Sequence, residues 1–224
     1  MKTFVLGDIH GAYRALKQCL ERSGFDKQND RLICLGDVAD GWPETMEAIE
    51  ELLSIPNLIY LIGNHDVWAR QWMITREAEE SWLNQGGRAT IGSYKAGVPK
   101  SHLQMMEKGL GYFVDNNRLF VHAGILAGTT AERNSEQVLF WDRSLVRTAM
   151  DLKKKNDEHN LTPYDEVYVG HTPIGEKHPV KCCEVWMCDT GAAWSGVLSI
   201  MNVDTKEWFT SDVVQNLYPG IKGR

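Results

Sequence analysis

Three short stretches carry oxygen and nitrogen donors in glycine-bounded turns: Gly7-Asp8-Ile9-His10-Gly11, Leu35-Gly36-Asp37-Val38-Ala39-Asp40-Gly41 and Gly63-Asn64-His65-Asp66. Each follows a short apolar run, and an ionised carboxylate is rarely buried beside such a run unless it is paired or metal-bound. Two later turns add imidazoles, His122-Ala123-Gly124 and Gly170-His171-Thr172, and another adds a carboxylate, Asp189-Thr190-Gly191. Asp8 and His10 stand at i and i+2, so a strand extended through the turn would aim both donors to one side and Ile9 into the core. Asp37 can offer one oxygen to the same ion and one to a second. Asn64 adds an amide oxygen, and His122 and His171 add nitrogens. Oxygen and nitrogen donors without a thiolate suit Mn, Fe or Zn rather than copper or an iron–sulfur cluster. The joint pattern predicts two divalent metal ions, with Mn first.

Two ions about 3.5–4 Å apart can clamp a phosphoryl group, acidify a shared water and stabilise both oxygens of an in-line displacement. The leaving oxygen still needs a proton. His65, next to Asn64 but free to point elsewhere, can give it, and Asp40 can fix its tautomer and raise its basicity. The competing role for Asp40 is a cap before the helix that Pro43 opens.

The elements that must position these groups are legible. Apolar runs at Thr3 to Leu6, Arg31 to Leu35 and Leu58 to Ile62 read as strands, and Tyr13 to Arg22 and Pro43 to Ile55 carry apolar residues at helical spacing. Asp8, Asp37 and Asn64 are 29 and then 27 residues apart, about the ~30-residue length of a strand–helix–strand unit. Such units bring the carboxyl ends of parallel strands to one rim, where α/β sheets bind ligands. From Val67 to about Gly111 the rhythm breaks, and a mainly helical insertion over the site is expected. Trp68, Trp72 and Trp82 within it read either as core or as a substrate wall. Strands resume at Arg118 to Val121, Glu166 to Val169 and Cys182 to Cys188, with a closing hairpin at Val197 to Val203 and Lys206 to Thr210. Gln137 to Asn156 reads as one helix, and its Lys153-Lys154-Lys155 end as a solvated terminus. His102, His159 and His178 read as surface or loop residues.

The formal charge of −6 leaves no basic stripe for a nucleic-acid backbone, so nucleic acid is not the expected partner. Five cysteines without paired spacing read as reduced core thiols. The first motif follows almost at once on Thr3-Phe4-Val5-Leu6, which leaves no room for a signal peptide, and no apolar run is long enough for a membrane span. The expectation is a soluble, cytoplasmic protein.

The ordered series GDIHG, GDVAD, GNHD, HAG, GHT and DTG resembles the phosphoprotein phosphatase family of calcineurin-like metallophosphoesterases, particularly its small bacterial and phage serine/threonine phosphatase branch. The likeness covers nearly the whole chain. It implies an α/β fold, a sandwich of two mixed β-sheets flanked by α-helices with the dimetal site at one edge, in a single domain over 1–224 with about 67–111 as the insertion. It implies that Asp8, His10 and Asp37 hold a first metal and that Asp37 bridges to a second held by Asn64, His122 and His171. His65 with Asp40 would be the acid dyad. Arg143, in Phe140-Trp141-Asp142-Arg143, would bind the substrate phosphate with Asn64. Two positions depart from the pattern: Gly41 and Ile62 stand where the family usually carries arginines. Arg88 of the insertion, then Arg70, are the expected replacements. Trp42 reads as a stacking face or as packing on the following helix. The expected activity is metal-dependent phosphomonoester hydrolysis on a phosphorylated protein, chiefly at serine and threonine, or on a small phosphoester. The alternative is a symmetrical dinucleoside tetraphosphatase, and a decayed metal-binding domain comes third.

Overall fold

A computed structural model describes residues 1–224. The first half alternates strand and helix: β1 (Thr3–Leu6), α1 (Tyr13–Arg22), β2 (Arg31–Cys34), α2 (Thr45–Leu53) and β3 (Leu58–Tyr60). Then come α3 (Asn64–Thr75), α4 (Glu80–Trp82), α5 (Arg88–Ser93) and α6 (Lys100–Glu107), followed by β4 (Tyr112–Asp115), β5 (Arg118–Val121), α7 (Glu136–Trp141) and α8 (Ser144–Lys154). The chain closes with β6 (Glu166–Val169), β7 (Val180–Cys182), β8 (Val185–Met187), β9 (Ser199–Asn202), β10 (Trp208–Thr210) and α9 (Val214–Leu217).

The strands form two mixed five-stranded sheets, in the orders β10-β9-β1-β2-β3 and β4-β5-β6-β8-β7. Side chains alternate between the faces of a strand, and here both faces are apolar. Phe4, Leu6, Leu32 and Cys34 point to one side of the first sheet, where α1 and α2 cover them with Leu16, Cys19, Leu20, Ile49 and Leu52. Val5 and Ile33, paired in register, point to the other side and meet Phe120 and Tyr168 of the second sheet. The rings of Phe120 and Tyr168 stack with centroids 4.7 Å apart. Leu119, Val121, Val167 and Val169 face outward onto α7 and α8. Strands buried on both faces explain the near-continuous apolar runs of the sequence. The result is the expected sandwich of two mixed sheets flanked by helices.

Three local readings need correction, and one strand was not anticipated. Gln137 to Asn156 is two helices, because Asp142 is extended (φ −75, ψ 137) and its carboxylate accepts the Ser144 N–H at 2.7 Å, which starts α8 afresh. Cys182 to Cys188 is not one strand but the turn and second strand of the β7–β8 hairpin (Val180 to Met187), with Cys183 at φ 54. The strand β4 carried no clear sequence signal. His102 is buried in α6, its Nδ1 2.9 Å from the Tyr94 hydroxyl, and is no surface residue. All five cysteines are free thiols, and burial pushes Cys19 up to about 12. No helix is long and apolar enough to cross a membrane.

Candidate metal centre

The carboxyl ends of β1, β2 and β3 meet those of β5 and β6 at one rim of the sandwich. Two sets of donors gather there, Asp8, His10 and Asp37 in one and Asp37, His122 and His171 in the other, and within each set the donor atoms lie within 4.8 Å of one another. All five residues are buried. Asn64 joins them, its Oδ1 3.1 Å from His122 Nε2. The six predicted ligands therefore converge. Asp37 presents Oδ2 to both imidazoles, 3.7 Å from His10 Nε2 and 3.4 Å from His122 Nε2, while its Oδ1 accepts the His65 N–H at 2.9 Å. One oxygen of Asp37 thus faces the imidazoles of both donor sets, and the other faces a backbone N–H.

Backbone carbonyls set the imidazoles. A carbonyl can only accept, so His122 Nδ1 donates to Leu35 O at 2.8 Å, which turns Nε2 toward Asp37 and Asn64. His10 Nδ1 donates to the Ala39 and Asp40 carbonyls at 3.1 and 3.2 Å, and its Nε2 is free. His171 is fixed the other way round, Nε2 to Trp141 O at 3.1 Å, leaving Nδ1. Holding the far nitrogen in this way is how proteins orient metal-binding imidazoles.

The turns are strained to achieve this. His10 (φ 52), Asp37 (φ 48), Asp40 (φ 73) and His171 (φ 61) are all left-handed, at about 1–3 kcal/mol each. His10 leaves the extended path because the Ile9 and His10 N–H groups both donate to Asp37 O, at 3.0 and 2.8 Å. The convergence of Asp8 and His10 therefore comes from a turn, not from strand alternation. Gly170 makes room for Asp8, since a Cβ there would lie 2.1 Å from Asp8 Oδ1. Asp66, which the sequence reading passed over, ties two turns together by accepting the N–H groups of Val38, Ala39 and Gly63 at 2.9, 3.1 and 3.1 Å.

The electrostatics call for a cation. Burial, followed by repulsion from Asp189, raises Asp8 well above the usual carboxylate range. Asp189 itself is pushed up to about 6, chiefly by burial. Burial would also raise Asp37, but His122, His65 and His10 outweigh it and hold that carboxyl well below its usual range. Burial lowers His10 and His171 to about 3, so both are neutral donors. Asp8 Oδ1 is buried with no hydrogen-bond partner. A buried orphan oxygen, imidazole nitrogens turned inward and a shared carboxylate fit divalent ions.

Beside this cluster, His65 Nδ1 lies 2.7 Å from Asp40 Oδ2, and His65 Nε2 is buried without a partner. Asp40 is fully buried and also accepts from Trp82 Nε1 and Thr90 Oγ1, both at 2.7 Å. It is therefore no helix cap. The insertion thus supplies two supports for Asp40 that no local motif announces. Trp72 and Trp82 pack in the core, while Trp68 stands edge-on between His65 (5.2 Å) and Trp141 (4.8 Å). Trp42 is wholly buried and stacks on Tyr218 at 5.0 Å, so it offers no face to a ligand. Arg143 sits in the break between α7 and α8, in a cleft of about 270 Å³ shared with Gln137, Val138, Trp141, Asp142 and Arg147. Arg88 is not brought to the site; it is exposed and paired with Glu80 at 2.8 Å.

Two donor triads sharing one carboxylate, with a proton-bearing imidazole alongside, are the equipment of a metal-dependent hydrolase of phosphate esters. Comparison with known proteins agrees. Residues 1–194 match the model of the calcineurin-like phosphoesterases, and the chain belongs to that family, which uses a dinuclear divalent metal centre. It is 26% identical to a symmetrical bis(5'-nucleosyl)-tetraphosphatase of Pseudomonas fluorescens over 272 positions, 94% of each chain. A 66-residue stretch is 36% identical to the same enzyme of Coxiella burnetii, covering 30% of this chain and 23% of that one. Among solved structures, a candidate diadenosine tetraphosphatase superposes with a TM-score of 0.68 at 16% identity, covering 93% of this chain and 92% of that one. A serine/threonine phosphatase of Saccharomyces cerevisiae gives 0.61 at 15%, covering 100% and 82%. At these identities the structural likeness speaks for the fold.

Proposed function

We propose that this protein is a nucleotide hydrolase of the symmetrical dinucleoside tetraphosphatase kind, in one domain over 1–224 with 67–111 as an insertion. The observation that carries this reading is the end-to-end match to bis(5'-nucleosyl)-tetraphosphatases, over 94% of both chains. It reverses the order of the sequence reading, which put a phosphorylated protein first. The Arg143 cleft supports it: an indole beside two guanidiniums, those of Arg143 and Arg147, suits a nucleoside phosphate, which needs a stacking face and cationic forks.

Asp8, His10, Asp37, Asn64, His122 and His171 would hold two divalent ions, with Mn the first candidate and Fe or Zn the others. When bound, the ions supply charge neutralisation on the phosphoryl oxygens and an acidified water. Asp40 holds the proton on His65 Nδ1, which leaves Nε2 to carry a second proton to the departing oxygen. Arg143 and the Asn64 amide steady the phosphoryl group. Water adds across the central anhydride, giving two nucleoside diphosphates.

The test is turnover of diadenosine tetraphosphate by manganese-loaded protein, with Asp37→Asn as the inactive control. The expected result is ADP as the sole nucleotide product. Faster turnover of a phosphoserine peptide, with none of the dinucleotide, would favour the second reading, a protein phosphatase. One observation speaks for that reading. The tetraphosphatase alignment spans 272 positions against a chain of 224 residues, so the relative has stretches absent here, and a phosphoserine asks for fewer contacts than two nucleosides.

A further inference from the structure

We propose that Arg224 is a second phosphate-binding guanidinium, entering the site over Gly41 and making the segment after α9 part of the substrate site. The inference rests on the phosphoester site itself and not on which ester is cleaved.

The segment is held in place before it reaches the site. Gly223 lies flat against an indole, where a Cβ would come within 2.7 Å of Trp42 Cζ2. Trp42 Nε1 in turn donates to Ala192 O at 2.7 Å. The next backbone N–H, that of Arg224, donates to Ala193 O at 2.9 Å. These contacts leave Arg224 beside the Asp40-Gly41 turn. A Cβ on Gly41 would lie 3.5 Å from His10 Cβ and 3.7 Å from Arg224 Cβ. A side chain at position 41 would start in ordinary contact with both, so Arg224 begins beside the space such a side chain would enter, on the same turn that faces His10.

The guanidinium is half-buried and underused. Its Nη2 donates to Gln85 Oε1 at 2.9 Å, and its carbon lies 5.2 Å from the Trp194 ring centroid, a stacking that orients the fork. It makes no direct ion pair, although the charges of Asp37, Asp40 and Asp189 act on it. Arg143, on the other arginine-bearing element of the site, is also without a carboxylate partner, and the two guanidiniums repel each other. Neither guanidinium is tied up in a direct ion pair, so both keep donors for an anion. A planar fork with spare N–H donors suits the oxygens of a phosphoryl group. Arg88, paired with Glu80, is not available for this role.

The experiment is calorimetric titration of the manganese-loaded protein with inorganic phosphate, for the native chain, Arg224→Ala, Arg224→Gln and Arg224→Lys. Metal content and KM for p-nitrophenyl phosphate are measured alongside. The expected result is phosphate affinity weakened about tenfold or more in the Ala and Gln variants, with metal content unchanged. Lys should be intermediate, and millimolar guanidinium ion should restore part of the loss in Arg224→Ala. Phosphate affinity within twofold of native in the Ala and Gln variants would overturn the proposal, as would a loss that tracks loss of metal. Arg224→Gln keeps much of the stem's packing should Arg224→Ala fail to fold. Because the probes are phosphate and an aryl ester, failure to cleave a dinucleotide would refute the tetraphosphatase reading and leave this result standing.

Discussion

His65 Nδ1 lies 2.7 Å from Asp40 Oδ2, and Trp82 and Thr90 donate to the same carboxylate. Three of the about four acceptor sites of the Asp40 carboxylate are thus filled. The imidazole is held in the tautomer that bares Nε2, the atom with no partner of its own. In the proposed mechanism this geometry would make Asp40 a positioning residue.

Asp40→Asn should lower kcat by about 10²–10⁴, the usual worth of general acid–base catalysis, with both metal ions retained. Trp82→Phe removes one donor and should cost less. Steady-state kinetics with elemental analysis of the metal decides the matter: depletion of metal in Asp40→Asn would make the dyad structural.

Metal binding should depend on pH with a definite sign. In the metal-free chain burial tends to lower His122, but the Asp37 carboxylate outweighs it and carries the imidazole up to about 9. A proton then competes with the ion for His122 Nε2 at neutral pH. Affinity should rise as pH rises toward 9 and flatten above it, and His122→Gln should shrink the slope. Manganese titrations from pH 6.5 to 9 measure this, and a flat profile would contradict it.

Gly170→Ala would place a methyl group 2.1 Å from Asp8 Oδ1. The carboxylate must move or the β6 turn must open. The expected outcome is a native far-ultraviolet spectrum with manganese stoichiometry below two.

Trp141→Ala keeps the main-chain carbonyl that accepts from His171 Nε2 but removes the indole beside Arg143. KM for a dinucleoside polyphosphate should rise about tenfold, in line with about 1–3 kcal/mol for a base stacked on an aromatic ring, and more than KM for p-nitrophenyl phosphate. Equal rises would show that no base rests there.

The sequence was most informative where chemistry and local geometry coincide. Short continuous apolar runs marked β1, β2, β5 and β6, and a donor motif sat directly after each. Short-range patterns say nothing of partners distant in the chain. Trp82 and Thr90 lie 42 and 50 residues from Asp40, and Arg224 approaches Gly41 from the far end of the chain. The α7–α8 break was invisible for a different reason: Asp142 and Arg143 are tolerated inside helices, and only the carboxylate-to-Ser144 contact shows that the helix restarts. Helical spacing alone could not sort the tryptophans, since Trp72 and Trp82 went to the core while Trp68 did not.

Asp8, His10, Asp37 and Asn64 follow strands of one sheet, and His122 and His171 follow strands of the other. The layer between the sheets is the smallest of the three apolar clusters, nine buried residues against 31 and 17. Ions gripped from both sides would rivet the open end of that thin seam. Loss of the ions should then loosen that end of the seam. Protease digestion with and without chelator should expose the difference, the first cuts falling in the stripped chain.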